Sequence, residues 1–342
     1  MQLRWIGLTT LFLLVASLQL SGCRGTPPEV RRSEFLLDTV VTITAYGSEA
    51  EEAVVAALAE VRRVGGLLDA NDPDSEIAAI NSKAGFEPVP VGDELFELLE
   101  RCQYYSALSA GAFDITVRPL VELWAIGTER ESVPTAEKIK QALELVGYGK
   151  MVLDRQTQSV FLPEVGMGID LGGVGKGYAA DQAREVLREY GIDSALIDAG
   201  GNIWTLGLRP DGKMWRIGIR HPRPEGKWKA VAVLPSRDLT IVTSGDYERY
   251  FIRDGMRYHH IFDPQTGYPA QELLSATIIG ESSTEADILS TAVFVLGADR
   301  GMAVVKQLPN LTSLIVTPEL HVHAAGPYKN RLELVGKEGT NR

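Results

Sequence analysis

Cysteine is scarce in this chain of 342 residues, which holds only Cys23 and Cys102. The five histidines form no Cys/His cluster and no HExxH helix, which excludes a zinc centre of the usual spacing. Positive charge is also in deficit: Lys plus Arg number 34 against 45 acidic side chains, a formal net charge of −11. No basic cluster lies on an aromatic-bearing stretch, so a nucleic-acid partner is excluded, because a phosphate backbone must be met by concentrated positive charge. Apolar residues make up 45% and charged residues 23%, a composition that folds into a globule and is neither disordered nor polytopic. The length admits one large domain or two ordinary ones.

One apolar run remains, Trp5 to Leu20, opening after Arg4 and closing on Leu20-Ser21-Gly22-Cys23. At about 16 residues it is short for a spanning helix and right for a signal-peptide core. The small residues before Cys23 resemble a bacterial lipobox. Residues 1–22 are therefore expected to be a lipoprotein signal peptide, with lipid on Cys23 and residues 23–34 a tether. Cys102 then has no disulfide partner, and its apolar-periodic surroundings (Leu95, Leu98, Leu99, Tyr105) predict a buried small hydrophobe.

The spacing predicts a strand over Phe35–Ala45, helices over Glu49–Val64, Asp93–Leu108, Thr135–Leu145, Tyr178–Tyr190 and Glu285–Leu296, and short strands between the last two helices. The first helix is expected to stop at Gly65-Gly66, and Asp211-Gly212 and Asp254-Gly255 fit hairpin turns. Together these predict an α+β fold, a mixed domain with substantial antiparallel sheet and flanking helices over residues 35–330, followed by a C-terminal tail at 331–342.

Three stretches carry chemistry. Gly166 to Gly177 (GMGIDLGGVGKG) packs six glycines into twelve residues before a helix. Glycine at that density brings backbone groups close to a ligand, and Asp170 and Lys176 add an acceptor and a phosphate-directed cation, with a purely structural loop as the alternative reading. Neither the Walker pattern nor GxGxxG fits, since Gly177 follows Lys176 and Leu171 and Tyr178 stand where glycine is needed. YHHIFDPQTGYP (Tyr258 to Pro269) puts His260 on a strand with Asp263 three positions on, an arrangement in which a carboxylate can hold the tautomer of a general base. A His259 or His260 that only bonds the turn fits the pattern equally well. In SSTEADILSTAVFVLG, Ser282 and Glu285 make a capping box, and Asp287 and Thr291, four apart, leave one helix face as a hard-ligand pair suited to Mg²⁺, although by pattern alone such a pair is more often ordinary polar surface.

With GAFDIT (Gly111 to Thr116), VRPLVELW, IDLGGVGKGYAAD, TSGDYERYF, HIFDPQTGYP and EADILSTAVFVLG in this order, the chain from about Phe35 to Val316 resembles the FAD:protein FMN transferase family, the ApbE-like flavin transferases. The resemblance implies FAD contacts at Leu37, Ala112, Phe113, Asp114, Asp170 and Lys176. It implies Mg²⁺ ligands at Asp287, Thr291 and the Gly173 carbonyl, and an essential histidine at His260. The family's early Met-Gly-Thr is here Leu37-Asp38-Thr39, and its usual Ala or Thr at the carbonyl ligand is Gly173.

The implied reaction is Mg-dependent: a Thr or Ser hydroxyl of an exported acceptor attacks the FMN-side phosphorus of FAD and AMP leaves, with His260 taking the proton and Lys176 steadying phosphate charge. Acceptors of this kind are exported flavoproteins, including the exported face of a membrane electron-transfer subunit. The expected location is the bacterial cell envelope, lipid-anchored to a membrane and facing the periplasm. The same site with water as nucleophile would be an FAD pyrophosphatase, and a non-enzymatic flavin-binding lipoprotein is a further alternative.

Overall fold

The computed structural model describes residues 27–223 and 229–336, so the signal segment and Cys23 lie outside the described residues. β1 (Glu29–Leu36) and β2 (Thr39–Tyr46) open the chain, followed by α1 (Ala50–Leu68), α2 (Glu76–Ser82), β3 (Val89–Pro90), α3 (Asp93–Leu108), α4 (Arg118–Trp124) and α5 (Ala136–Leu143). Next come β4 (Val152–Asp154), β5 (Ser159–Phe161), α6 (Gly175–Glu189), β6 (Ala195–Ala199), β7 (Asn202–Leu206), β8 (Trp215–Arg220), β9 (Ala230–Ser236) and β10 (Thr240–Gly245). β11 (Tyr250–Arg253), β12 (Met256–His259), β13 (Ser275–Gly280), α7 (Ser283–Val305), β14 (Thr312–Val316), β15 (Val322–Ala325) and β16 (Glu333–Leu334) complete it.

Eight strands form one sheet in the order β1-β2-β6-β7-β10-β13-β14-β15, with each neighbouring pair antiparallel. This is the mixed α+β architecture that the element pattern predicts. Strand alternation divides the sheet's two faces. Val41, Ile43, Ile197 and Trp204 pack with the apolar stripes of α1 (Val54, Leu58, Val61) and α6 (Ala179, Ala183, Leu187). Ala276, Ile278 and Ile315 meet α7 through Leu289, Val293 and Phe294. On the opposite face Ile241, Ile279 and Leu314 meet Trp215, Ile217 and Ile219 of the small sheet β16-β9-β8. α7 is long and apolar enough to cross a membrane by length and composition, yet 61% of its apolar window is buried in this core.

Several boundaries differ from the sequence expectation. The tether expected over 23–34 is, from Glu29 on, edge strand β1, paired with β2 along its whole length. The strand expected over Phe35–Ala45 is interrupted by a two-residue turn, with Leu37 (φ 53°) and Asp38 (φ 57°) both left-handed as a type I′ hairpin demands. α1 runs through Gly65-Gly66 to Leu68. A side chain at 65 would stand 3.2 Å from Leu37 Cδ2, so glycine there admits the hairpin tip and does not end the helix. The C-terminal tail expected from 331 contributes β16, which pairs with β9. α2 and α4, at seven residues each, are too short to show a full apolar period. Asp254-Gly255 joins β11 to β12 as expected, whereas Asp211-Gly212 turns between β7 and β8, which do not pair with each other. α7 has its helical geometry broken at Gly297 (φ 77°), the point where the sequence predicts the stop.

Candidate active site

A cavity of about 690 Å³ opens where the β1–β2 hairpin tip, the 111–130 segment, the glycine-rich loop and α7 meet. Leu37, Ala112, Phe113, Asp114, Asp170, Gly173, Lys176, His260, Asp287 and Thr291 all line it. Its volume falls within the range of roughly 300–1,000 Å³ usual for small-molecule sites.

The glycine-rich loop is pinned before it becomes α6. The Asn81 side chain brackets Ile169, accepting from its N–H at 2.6 Å and donating to its carbonyl at 2.9 Å. Asp170 N–H donates to the Ile115 carbonyl at 2.8 Å, tying this loop to the GAFDIT segment. Asp170 Oδ1 accepts from Gly172 N–H at 2.9 Å, while its Oδ2 lies 3.9 Å from Arg118 Nη1. Lys176 Nζ is held only loosely, 3.4 Å from the Gly172 carbonyl, and remains available to a phosphate. Asp114 ties its own loop to the segment after α5: Oδ1 accepts from Thr116 N–H at 2.8 Å and Thr116 Oγ1 at 2.6 Å, and Oδ2 from Tyr148 N–H at 2.7 Å. Burial pushes its carboxyl above the ordinary range against the pull of those hydrogen bonds. Its contribution to the cavity is to shape the wall that carries Ala112 and Phe113.

α6 and α7 approach so closely that each supplies the other's cap. Asp181 of α6 accepts from Ser283 N–H at 3.0 Å and Thr284 N–H at 2.9 Å, the first donors of α7. Asp287 of α7 accepts through Oδ2 from Gly177 N–H at 2.8 Å, in the first turn of α6. Of the expected capping box only half forms: Ser282 Oγ accepts from Glu285 N–H at 3.3 Å, but Glu285 turns away to accept from the Tyr105 hydroxyl at 2.5 Å. Gly177 is required at the crossing, since a β-carbon there would stand 2.2 Å from the Ser283 carbonyl oxygen. Gly177→Ala is expected to lower unfolding stability by about 1–3 kcal/mol, the usual cost of overpacking, read from the urea midpoint.

Asp287 is 3% exposed, and none of the ion pairs among the described residues involves it. A buried carboxylate held only by neutral donors is the kind of site a cation completes. Thr291 Oγ1 lies 3.3 Å from Ser244 Oγ, and a β-carbon on Gly173 would be 3.5 Å from that Thr291 oxygen, so carboxylate, hydroxyls and the glycine loop backbone converge. These hard oxygens fit Mg²⁺ and not a soft metal, and no group of three or more His, Cys, Asp or Glu suited to a metal occurs among the described residues.

The two histidines divide their roles. His259 is 2% exposed, with Nε2 2.6 Å from the Ala270 carbonyl and Nδ1 accepting from Ile261 N–H at 3.3 Å, so it bonds the turn. His260 follows β12, and its Nδ1 lies 3.2 Å from the Arg249 carbonyl. With the Nδ1 proton donated there, Nε2 is left as the basic atom. Asp263 does not orient it as expected, because Asp263 Oδ1 turns into its own loop to accept from Gln265 N–H at 2.8 Å. Burial, then the Arg249 and Lys176 charges, push the His260 imidazole down to about 3. Cys102, in contrast, is fully buried in α3 and its thiol is pushed up to about 12, the inert hydrophobe expected of it.

Sequence reasoning missed Asn202, Ser244, Arg118 and Arg249, all of which line the cavity. The usable signals were the polar residue directly after the Gly200-Gly201 pair and the SGDYER run, both between β-type stretches. Arg118 is 15% exposed and links Glu122 (2.7 Å), Asn71 (2.9 Å) and the neighbourhood of Asp170.

The family model described as the ApbE family matches residues 37–315. An FAD:protein FMN transferase of Treponema pallidum (strain Nichols) is 37% identical over 332 residues, covering 92% of this chain and 91% of that protein. One of Klebsiella pneumoniae (strain 342) is 38% identical over 272 residues, covering 79% and 84%. Among solved structures, the ApbE protein of Thermotoga maritima MSB8 superposes with a TM-score of 0.82 at 34% identity, over 89% of this chain and 99% of that one. The flavin transferase ApbE from Vibrio cholerae does so with a TM-score of 0.80 at 27% identity, over 89% and 99%.

Proposed function

The chain belongs to the ApbE family and is a flavin transferase, an FAD:protein FMN transferase, and from that premise we propose that it joins FMN to a Thr or Ser of an acceptor protein through a phosphoester bond and releases AMP. The observation that supports this reading is the gathering of His260, Lys176, Asp287 and Thr291, from three separate stretches of chain, on one cavity. The acceptor hydroxyl oxygen forms the new bond to the FMN-side phosphorus while the bond from that phosphorus to the pyrophosphate bridging oxygen breaks. That oxygen leaves with AMP.

Asp287, Thr291 and the Gly173 carbonyl would hold a Mg²⁺ ion, which when bound supplies charge neutralisation on the pyrophosphate. Lys176, with its ammonium loosely tethered, steadies charge on the transferring phosphate, and Asp170 and Phe113 orient the flavin-bearing substrate. His260 Nε2 accepts the hydroxyl proton, a role that requires the neutral imidazole its surroundings enforce. Mass spectrometry of an acceptor peptide incubated with the protein, FAD and Mg²⁺ tests the reading. An FMN adduct is expected, whereas FMN and AMP with no adduct would make the protein a pyrophosphatase.

Export and anchoring belong to the same proposal. The Trp5–Leu20 run and Cys23 support a lipid-anchored, periplasm-facing protein of the bacterial envelope that acts on exported flavoproteins. Cys23→Ala is expected to abolish acylation and move the protein from the membrane fraction to an uncleaved or soluble form. Mature membrane-bound protein with no acyl group by mass spectrometry would contradict it.

A further inference from the structure

We infer that Asn202 is a positioning residue of the cation site, fixing the plane of the Asp287 carboxylate so that its free lone pairs face the cavity. The inference rests on the cation reading proposed above. Asn202 begins β7, is 3% exposed and lines the cavity beside Asp287. Its Nδ2 donates to Asp287 Oδ1 at 3.1 Å, while the other carboxylate oxygen receives Gly177 N–H at 2.8 Å. Each oxygen thus has one fixed donor, and the two donors come from different elements, β7 and the first turn of α6. A carboxylate held at both oxygens cannot rotate about its last bond without losing a hydrogen bond in a buried place.

The backbone that carries the amide is itself held in place. The β6–β7 turn passes through Gly200 (φ 64°) and Gly201 (φ 94°), and Gly201 N–H donates to Asp198 Oδ1 at 2.9 Å. Asn202 pairs in register with Ala199 across that turn. The residue type matters as much as its place. An Asp would set a second negative charge against Asp287, and an apolar side chain would leave one buried oxygen without a donor. Only an amide supplies a neutral N–H donor here at unchanged size, and outer partners of this kind typically set metal affinity by about 10–100-fold.

The test is Mn²⁺ affinity of the folded protein, measured by electron paramagnetic resonance of free Mn²⁺ without FAD or acceptor, for wild type, Asn202→Leu, Asp287→Asn and the double variant. Asn202→Leu is expected to weaken Mn²⁺ binding by about 10–100-fold. The double variant is expected to bind no more weakly than Asp287→Asn alone, because Asn202 acts through that carboxylate. Circular dichroism of each variant establishes that it is folded. Should Asn202→Leu prove unfolded, Asn202→Ser, which is too short to reach Asp287, replaces it with the same expectation. A folded variant that binds Mn²⁺ within twofold of wild type, or losses that simply multiply in the double variant, would overturn the inference. If Asp287→Asn itself leaves Mn²⁺ affinity unchanged, the cation reading fails instead.

Discussion

His260→Ala is expected to slow FMN transfer by roughly 10²-fold or more while leaving the FAD dissociation constant within a few fold, the usual scale of general-base catalysis. The imidazole sits at the cavity wall with its Nδ1 at the Arg249 carbonyl, so removing it deletes a proton acceptor without touching Asp287, Thr291 or Asp170. The pH dependence follows from its surroundings. A free histidine would gain its base form through about pH 6.5. Here burial and the Arg249 and Lys176 cations lower the pKa to about 3. In the FAD-free protein the neutral form is therefore populated throughout pH 5 to 9; a bound pyrophosphate offsets the Arg249 and Lys176 charges and raises the value again, while burial keeps any histidine limb of the transfer rate below pH 6.5. Single-turnover transfer to saturating acceptor across that range, for wild type and mutant, checks both points. A wild-type limb near pH 6.5 that the mutant lacks would mean that the imidazole, half-buried at the cavity wall, is solvated much as a free histidine is. A mutant with weak FAD binding and an unchanged saturated rate would make His260 a binding residue.

Asp287→Asn should be more damaging still. Chelation of divalent metal is expected to stop FAD turnover, and the Asp287→Asn variant should lose more activity than Thr291→Ala. Thr291 contributes a dipole, and losing one polar contact to an ion costs about 1.5–3 kcal/mol, or roughly 10–100-fold. Asp287 contributes the full charge, and it is a buried carboxylate free of any ion pair among the described residues. Undiminished turnover in excess chelator, or a Thr291→Ala variant less active than the Asp287→Asn variant, would reject the assignment.

What could be read from the chain follows the range of each signal. Asp287 and Thr291 were legible as a pair because helical periodicity puts positions four apart on one face, and as site residues because the motif around them resembles the family's. The glycine run was legible because its composition is extreme. Asn202 and Gly177 lie 85 and 110 residues from Asp287, and no local pattern announces that pairing. The same reason hid β1: its exposed, charged residues read as a tether until pairing with β2 supplies the partner that makes it a strand. Gly65-Gly66 read as a helix end because the Leu37 side chain that packs beside Gly65 comes from a turn that sequence alone joined into a continuous strand.

The exchange of caps between α6 and α7 ties local melting to loss of the site. Fraying the start of α6 strips Asp287 of a donor, and fraying the start of α7 strips Asp181 of two, so neither end opens at its own low cost. The amides of Gly177, Ser283 and Thr284 should then exchange with solvent as one cooperative unit. An ion bound at Asp287 should slow all three together by mass action, although the Ser283 and Thr284 amides donate to Asp181 and not to Asp287. Independent exchange rates at these amides would show that the two helix ends open separately. If they move as one, the cation reports on the integrity of the helix pair, and an apo protein is looser at the place where it must later hold a dinucleotide still.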